Sequence, residues 1–186
     1  MDYLRLEEIP RYLDACADYY RPLAETLIAT GLHISEALAL TWDDVDLVSR
    51  TLQVLRSRKA EGRGSTKGDR FRSVDFGVRL GHVLRELRGR APATAGLVCR
   101  GPRGGELSRS DVSRDLHKHA LEDAALRRSL RLHDLRHTAA ASWLAAGRRS
   151  STSSASSAMR RSRRRSRSTA TSRSPSCAAR PIALSG

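Results

Sequence analysis

His33, Lys67, Arg70, Arg72, His133 and Arg136 are the side chains of this sequence that could together handle a phosphate group. His133 and Arg136 stand three positions apart, so on a helix they share a face and set a proton carrier beside a planar cation. Arginine grips phosphate oxygens with two parallel N–H bonds. A lysine on a flexible loop can deliver a proton to a departing oxygen. Lys67 lies in such a loop, the polar, glycine-rich run KAEGRGSTKGDR, with Arg70 at its end and Arg72 just beyond. Lys59, at the start of that run, is a rival for the same role. His33 follows a Thr-Gly pair and precedes Glu36, which falls early in a short apolar helix.

These residues need elements to hold them. Apolar spacing predicts a helix over residues 4–18, with Glu7 and Glu8 near its start, where acids favour the helix dipole. Pro22 suits the first turn of a second helix that Gly31 ends. A third helix covers 34–40. The period then shortens. Leu52, Val54 and Leu55 suit one strand, Phe71, Val74 and Phe76 another, and the Lys67 run between them reads as a hairpin loop. Helices follow over 78–87, 108–126 (with Ser110 and Asp111 as a cap signal) and 133–146, and 97–99 suits a short strand. Trp143 is expected in the core and His137 in a structural role. The fold class is mixed, mainly α with a small antiparallel β-sheet.

Composition divides the chain in two. Residues 148–186 hold ten arginines and no acidic residue, so of the net charge of +14 only +4 belongs to residues 1–147. The first part is long enough for one domain with a core. The second is an Arg/Ser-rich tail expected to be disordered, because it lacks the large apolar residues that offset chain entropy. Cys16, Cys99 and Cys177 are odd in number and lack metal-ligand spacing, which predicts reduced thiols, no zinc site and a cytoplasmic protein. No apolar run reaches membrane-spanning length, so no membrane partner is expected.

Two long strings carry a resemblance. TGLHISEALALTWDDVDL (30–47) and HDLRHTAAASWLAAG (133–147) closely resemble the two signatures of the tyrosine recombinases, the phage integrase family, in the right order and with a lysine hairpin between them. The resemblance covers about residues 4–147. It implies a recombinase catalytic-domain fold. It also implies double-stranded DNA and other recombinase subunits as partners, and phosphodiester transesterification through a phosphotyrosyl intermediate, with no metal or other cofactor. His133 and Arg136 match the family's His-x-x-Arg pair. Lys67 matches the lysine that protonates the leaving hydroxyl, and Glu36 the acidic residue that supports the first helix. Arg70 and Arg72 are expected to contact DNA.

The sequence departs from the family at three places. His33 stands where the family's first arginine belongs, read either as a decayed arginine or as a buried, hydrogen-bonded histidine. The tyrosines are Tyr3, Tyr12, Tyr19 and Tyr20, all before the first signature, so the nucleophile is absent, and so is the Leu-Gly-His motif that precedes it. By the resemblance, the chain is also expected to begin inside the catalytic domain. A truncated recombinase, inactive as it stands, is therefore expected. Read one base out of register, codons for 155–172 permit a Leu-Gly-His string followed by a tyrosine, so the tail is expected to be frame-shifted. The alternative is a non-catalytic DNA-binding protein that uses the recombinase remnant and a basic arm.

Overall fold

The computed structural model describes residues 2–59, 62–65, 72–92, 96–127 and 129–147, with the backbone alone at 56–59 and 62–65. Lys67, Arg70, Phe71, Cys177 and the 148–186 tail lie outside the described residues. The helix expected over 4–18 is shorter, α1 (Glu8–Asp14). Its start is fixed where the Glu8 carboxylate accepts the Arg5 amide at 2.7 Å. Helix α2 (Arg21–Thr30) has Pro22 in its first turn and ends at Gly31, whose φ of 62° lies in the left-handed region and whose N–H returns to the Leu27 carbonyl. A side chain at that φ is strained, which is why glycine suits the position.

Helix α3 (Ile34–Ala37) is a single turn. Thr41 then opens a 3₁₀ turn, Trp42–Asp44, held by the buried Asp44 carboxylate, which accepts from the Thr41 amide at 3.0 Å and from its hydroxyl at 2.6 Å. Strands β1 (Val45–Asp46), β2 (Thr51–Val54) and β5 (Arg72–Asp75) form an antiparallel sheet in the order β1-β2-β5, with Leu52 opposite Val74. Leu52, Val54 and Val74 point into the core while their neighbours stay wetter, the alternation expected of a half-buried sheet.

A second hairpin, β3 (Arg56–Lys59) paired with β4 (Gly62–Ser65), begins just before the predicted loop and runs into it. These strands are Arg, Ser, Lys and Gly, so no apolar period announces them. The expected strand at 97–99 is one bridge, Leu97 to Thr41, flanked by the Val98 amide bonded to the Leu40 carbonyl at 3.0 Å.

Helix α4 (Val78–Arg90) follows and packs on α2. The single helix expected over 108–126 is instead α5 (Arg109–Asp111), a π-helical stretch Val112–His117 and α6 (Lys118–Asp123). Its cap is Ser108 and not Ser110, since the Ser108 hydroxyl accepts the Asp111 amide at 3.1 Å. Helix α7 (Asp134–Ala145) follows, with His133 at its N-cap. Helix α2 is the hub and packs on α7, α4, α1 and α3. Leu23, Ala24 and Leu27 on α2 are all but fully buried, joined by Leu52, Leu80, Leu84 and Leu135. Each such leucine contributes about 1.5–3 kcal/mol by leaving water. Cys16 and Cys99 are buried free thiols, and burial pushes each thiol up to about 12.

Candidate phosphate-handling site

The two signature segments meet because α7 lies along α2. Trp143 is half-buried there, not a core residue, and its indole N–H donates to the Ala29 carbonyl at 3.1 Å. Two turns earlier on the same face, Arg136 Nη1 donates to the Gly31 carbonyl at 3.0 Å. The left-handed Gly31 turns the chain so that His33 emerges beside α7. The His33 and His133 rings lie nearly parallel, 22° apart in plane and 5.7 Å between centroids. His137 meets His133 edge-on at 5.3 Å, so it belongs to this cluster. The site thus brings together His33, His133, Arg136 and His137. His33 and His133 are exposed, which removes the buried-histidine reading of His33.

Glu36 supports the cluster from below. Its carboxylate accepts the His33 amide at 2.9 Å. It also binds Arg72 through two parallel bonds of 2.9 and 2.6 Å. Arg72 was expected to contact DNA, but its fork is committed to Glu36. That pair ties α3 to β5 and fixes the backbone that presents His33. No local spacing in the sequence could have shown it, because the partners lie 36 positions apart.

Partial desolvation of the His33 ring, then the Arg136 guanidinium, hold its pKa below the usual histidine value; Glu36 opposes this shift, while His133 and Arg72 add to it. Neutral imidazole at this position offers one N–H donor where a guanidinium would offer five. The Gly31 bond uses one of Arg136's five donors, so the guanidinium is oriented and still able to clamp an anion. Among the described residues no group of three or more His, Cys, Asp or Glu side chains could hold a metal ion. No described helix is long and apolar enough to cross a membrane.

The four tyrosines are placed in two ways. Tyr12 and Tyr20 are buried and bonded hydroxyl to hydroxyl at 2.7 Å. Burial raises the pKa of each. Neither can serve as a nucleophile toward an external phosphate. Tyr3 lies before α1 and Tyr19 in the turn between α1 and α2, outside both signatures.

A helical body around a small antiparallel sheet, with the His-x-x-Arg helix docked beside the Thr-Gly turn, defines a recombinase catalytic domain. The family model described as "Phage integrase family" matches residues 2–153, and the chain belongs to that family. It is 33% identical over 130 residues to the tyrosine recombinase XerC of Pelobacter propionicus, covering 68% of this chain and 39% of that protein. It is likewise 33% identical over 132 residues to XerD of Corynebacterium glutamicum, covering 68% and 40%. The chain therefore spans about two fifths of the length of these relatives. Among solved structures, the XerA recombinase superposes with a TM-score of 0.65 at 26% identity, over 79% of this chain and 51% of that one. The Tn1549 transposon integrase in complex with a circular intermediate DNA shares the fold, with a TM-score of 0.68 at 16% identity over 80% and 55%.

Proposed function

We propose that this chain is the phosphate-handling part of a site-specific recombinase or integrase and that it binds duplex DNA at the His33–His133–Arg136 cluster. The observation that carries the reading is the Arg136–Gly31 bond. It presents a clamped guanidinium next to two imidazoles, the arrangement that phosphodiester recognition needs. Arg136 takes the non-bridging oxygens, and His133 stands beside them as a proton carrier. Lys67 is assigned the leaving hydroxyl, and Arg70 a backbone phosphate. Further recombinase subunits are the partners this reading implies. So is assembly with DNA, as in the XerH recombinase bound to its difH substrate and the λ integrase tetramer bound to a Holliday junction.

Cleavage is a separate matter. Two of the four tyrosines are buried, and none of the four follows the His-x-x-Arg helix. We read the 186-residue chain as a DNA binder that forms no phosphotyrosyl bond on its own. The test is a nicked suicide duplex incubated with the chain and denatured. No covalent adduct is expected, and any adduct that survives denaturation overturns the inactivity.

A second reading has its own support, the ten arginines and absent acids of residues 148–186. It makes the protein a non-catalytic DNA-binding protein whose tail supplies much of the affinity. Deleting 148–186 should then weaken binding and flatten its salt dependence, since each phosphate neutralised adds about 0.9 to the logarithmic salt slope. An unchanged slope assigns the binding to the folded part.

A further inference from the structure

His33 and His133 come from segments a hundred positions apart in sequence, yet their rings lie face to face with both residues exposed. The charged and titratable groups that act on His33 are Arg136 and His133 from α7, Arg72 from β5 and Glu36 from its own helix. Glu36 is the only carboxylate among them, and it is already held by the Arg72 fork and the His33 amide. Asp134, beside His133, turns its carboxylate to the Arg131 amide at 2.8 Å. A proton placed on His33 therefore meets cationic surroundings, and the ring's own partial desolvation opposes it further. His33 stays neutral until an anion arrives to offset the charge.

We propose that a phosphodiester of duplex DNA enters this subsite together with a proton taken up by the stacked His33–His133 pair, so that DNA binding here is proton-coupled. The inference rests on the DNA-binding reading above and adds a regulation to that same site. An arginine at position 33 would be charged at every physiological pH and would hold phosphate without taking up a proton. Imidazole makes the charge conditional. Linkage is reciprocal: the proton strengthens DNA binding, and DNA raises the affinity of the pair for the proton. For one proton, affinity falls by at most about tenfold per pH unit as pH rises between the free and bound pKa values.

The test uses the full chain, a fluorescent duplex and fixed low ionic strength, with anisotropy titrations from about pH 5.5 to about pH 8. The tail arginines stay charged throughout and add a flat background. The wild type should lose about tenfold or more in affinity across that range, His33→Arg should bind with a flat profile, and His33→Gln should bind weakly with a flat profile. In imidazole proton–carbon correlation spectra, the duplex should raise the titration midpoint of His33 and leave that of the buried His117 unmoved. These spectra need only the wild type, so they decide the matter even where a His33 variant does not fold. Wild-type binding with no pH dependence, a slope that persists in His33→Arg, or a His33 midpoint unmoved by the duplex overturns the inference and leaves the DNA-binding reading standing. No duplex binding at any pH overturns that reading and the inference with it.

Discussion

Arg136 donates to the carbonyl of Gly31 across 105 positions of sequence, at 3.0 Å. The bond joins the two signature segments at a residue with a left-handed backbone, φ 62°. Gly31 therefore has two tasks. It ends α2, and it aims its carbonyl at the guanidinium that is to clamp phosphate. Its Cα also faces Trp143, so the space for a side chain is already occupied.

Gly31→Ala should be costly for both reasons. An alanine at φ 62° is strained, and its Cβ would lie 3.2 Å from the Trp143 ring. The expected loss is about 1–2 kcal/mol of stability in urea unfolding, with weaker duplex binding as Arg136 loses its support. Gly105→Ala, in a loop, is the control, because an added Cβ there meets open space. It should stay within about 0.5 kcal/mol of the wild type. Equal effects at the two glycines would contradict this account of Gly31.

The Glu36–Arg72 pair should behave as a buried ion pair. The Glu36 side chain is 8% exposed and that of Arg72 26%. Arg72→Met leaves the carboxylate buried without its cation and should destabilise by about 3 kcal/mol. Glu36→Leu combined with Arg72→Met should recover much of that loss, since the desolvation cost goes with both charges. A double-mutant cycle in urea measures the coupling, and additive single effects would show that the two side chains do not depend on each other.

Much of this arrangement was legible in the sequence because it is written locally. Pro22 and Gly31 mark the ends of α2, alternation marks β2 and β5, and a three-residue spacing puts His133 and Arg136 on one face. What stayed hidden is written across distance. Glu36 and Arg72 meet through the register of β5 against β2, and a charge pair leaves no period. The β3–β4 hairpin is held by backbone bonds between polar residues, so no apolar pattern reports it. His117 looks like any helix histidine in sequence. It becomes part of the core only because the π-helical stretch turns it toward Tyr12 and the loop before α7. The stacking of His33 on His133 likewise needed the docking of α7 on α2.

That buried His117 should make stability depend on pH. Its Nε2–H donates to the Leu130 carbonyl at 3.1 Å, so Nδ1 is the acceptor and takes the Tyr12 hydroxyl proton at 2.7 Å. Tyr12 in turn accepts from Tyr20. This polarity needs a neutral ring, and burial lowers the His117 pKa from 6.5, with the Leu130 carbonyl and Asp134 only partly opposing it. The unfolded chain titrates near the ordinary value of about 6.5. Above it both states are neutral and the stability is fully present. As pH falls below it the unfolded state binds a proton that the folded state refuses, so stability drops by up to about 1.4 kcal/mol per pH unit until the folded pKa is reached. Urea midpoints measured between about pH 7.5 and pH 5.5 should fall accordingly, in a window above the carboxylate titrations. His33 shifts the same way, so His33→Gln serves as a control and should keep most of the slope. A His117 imidazole that titrates at its ordinary pKa in the folded protein would remove the basis of this prediction.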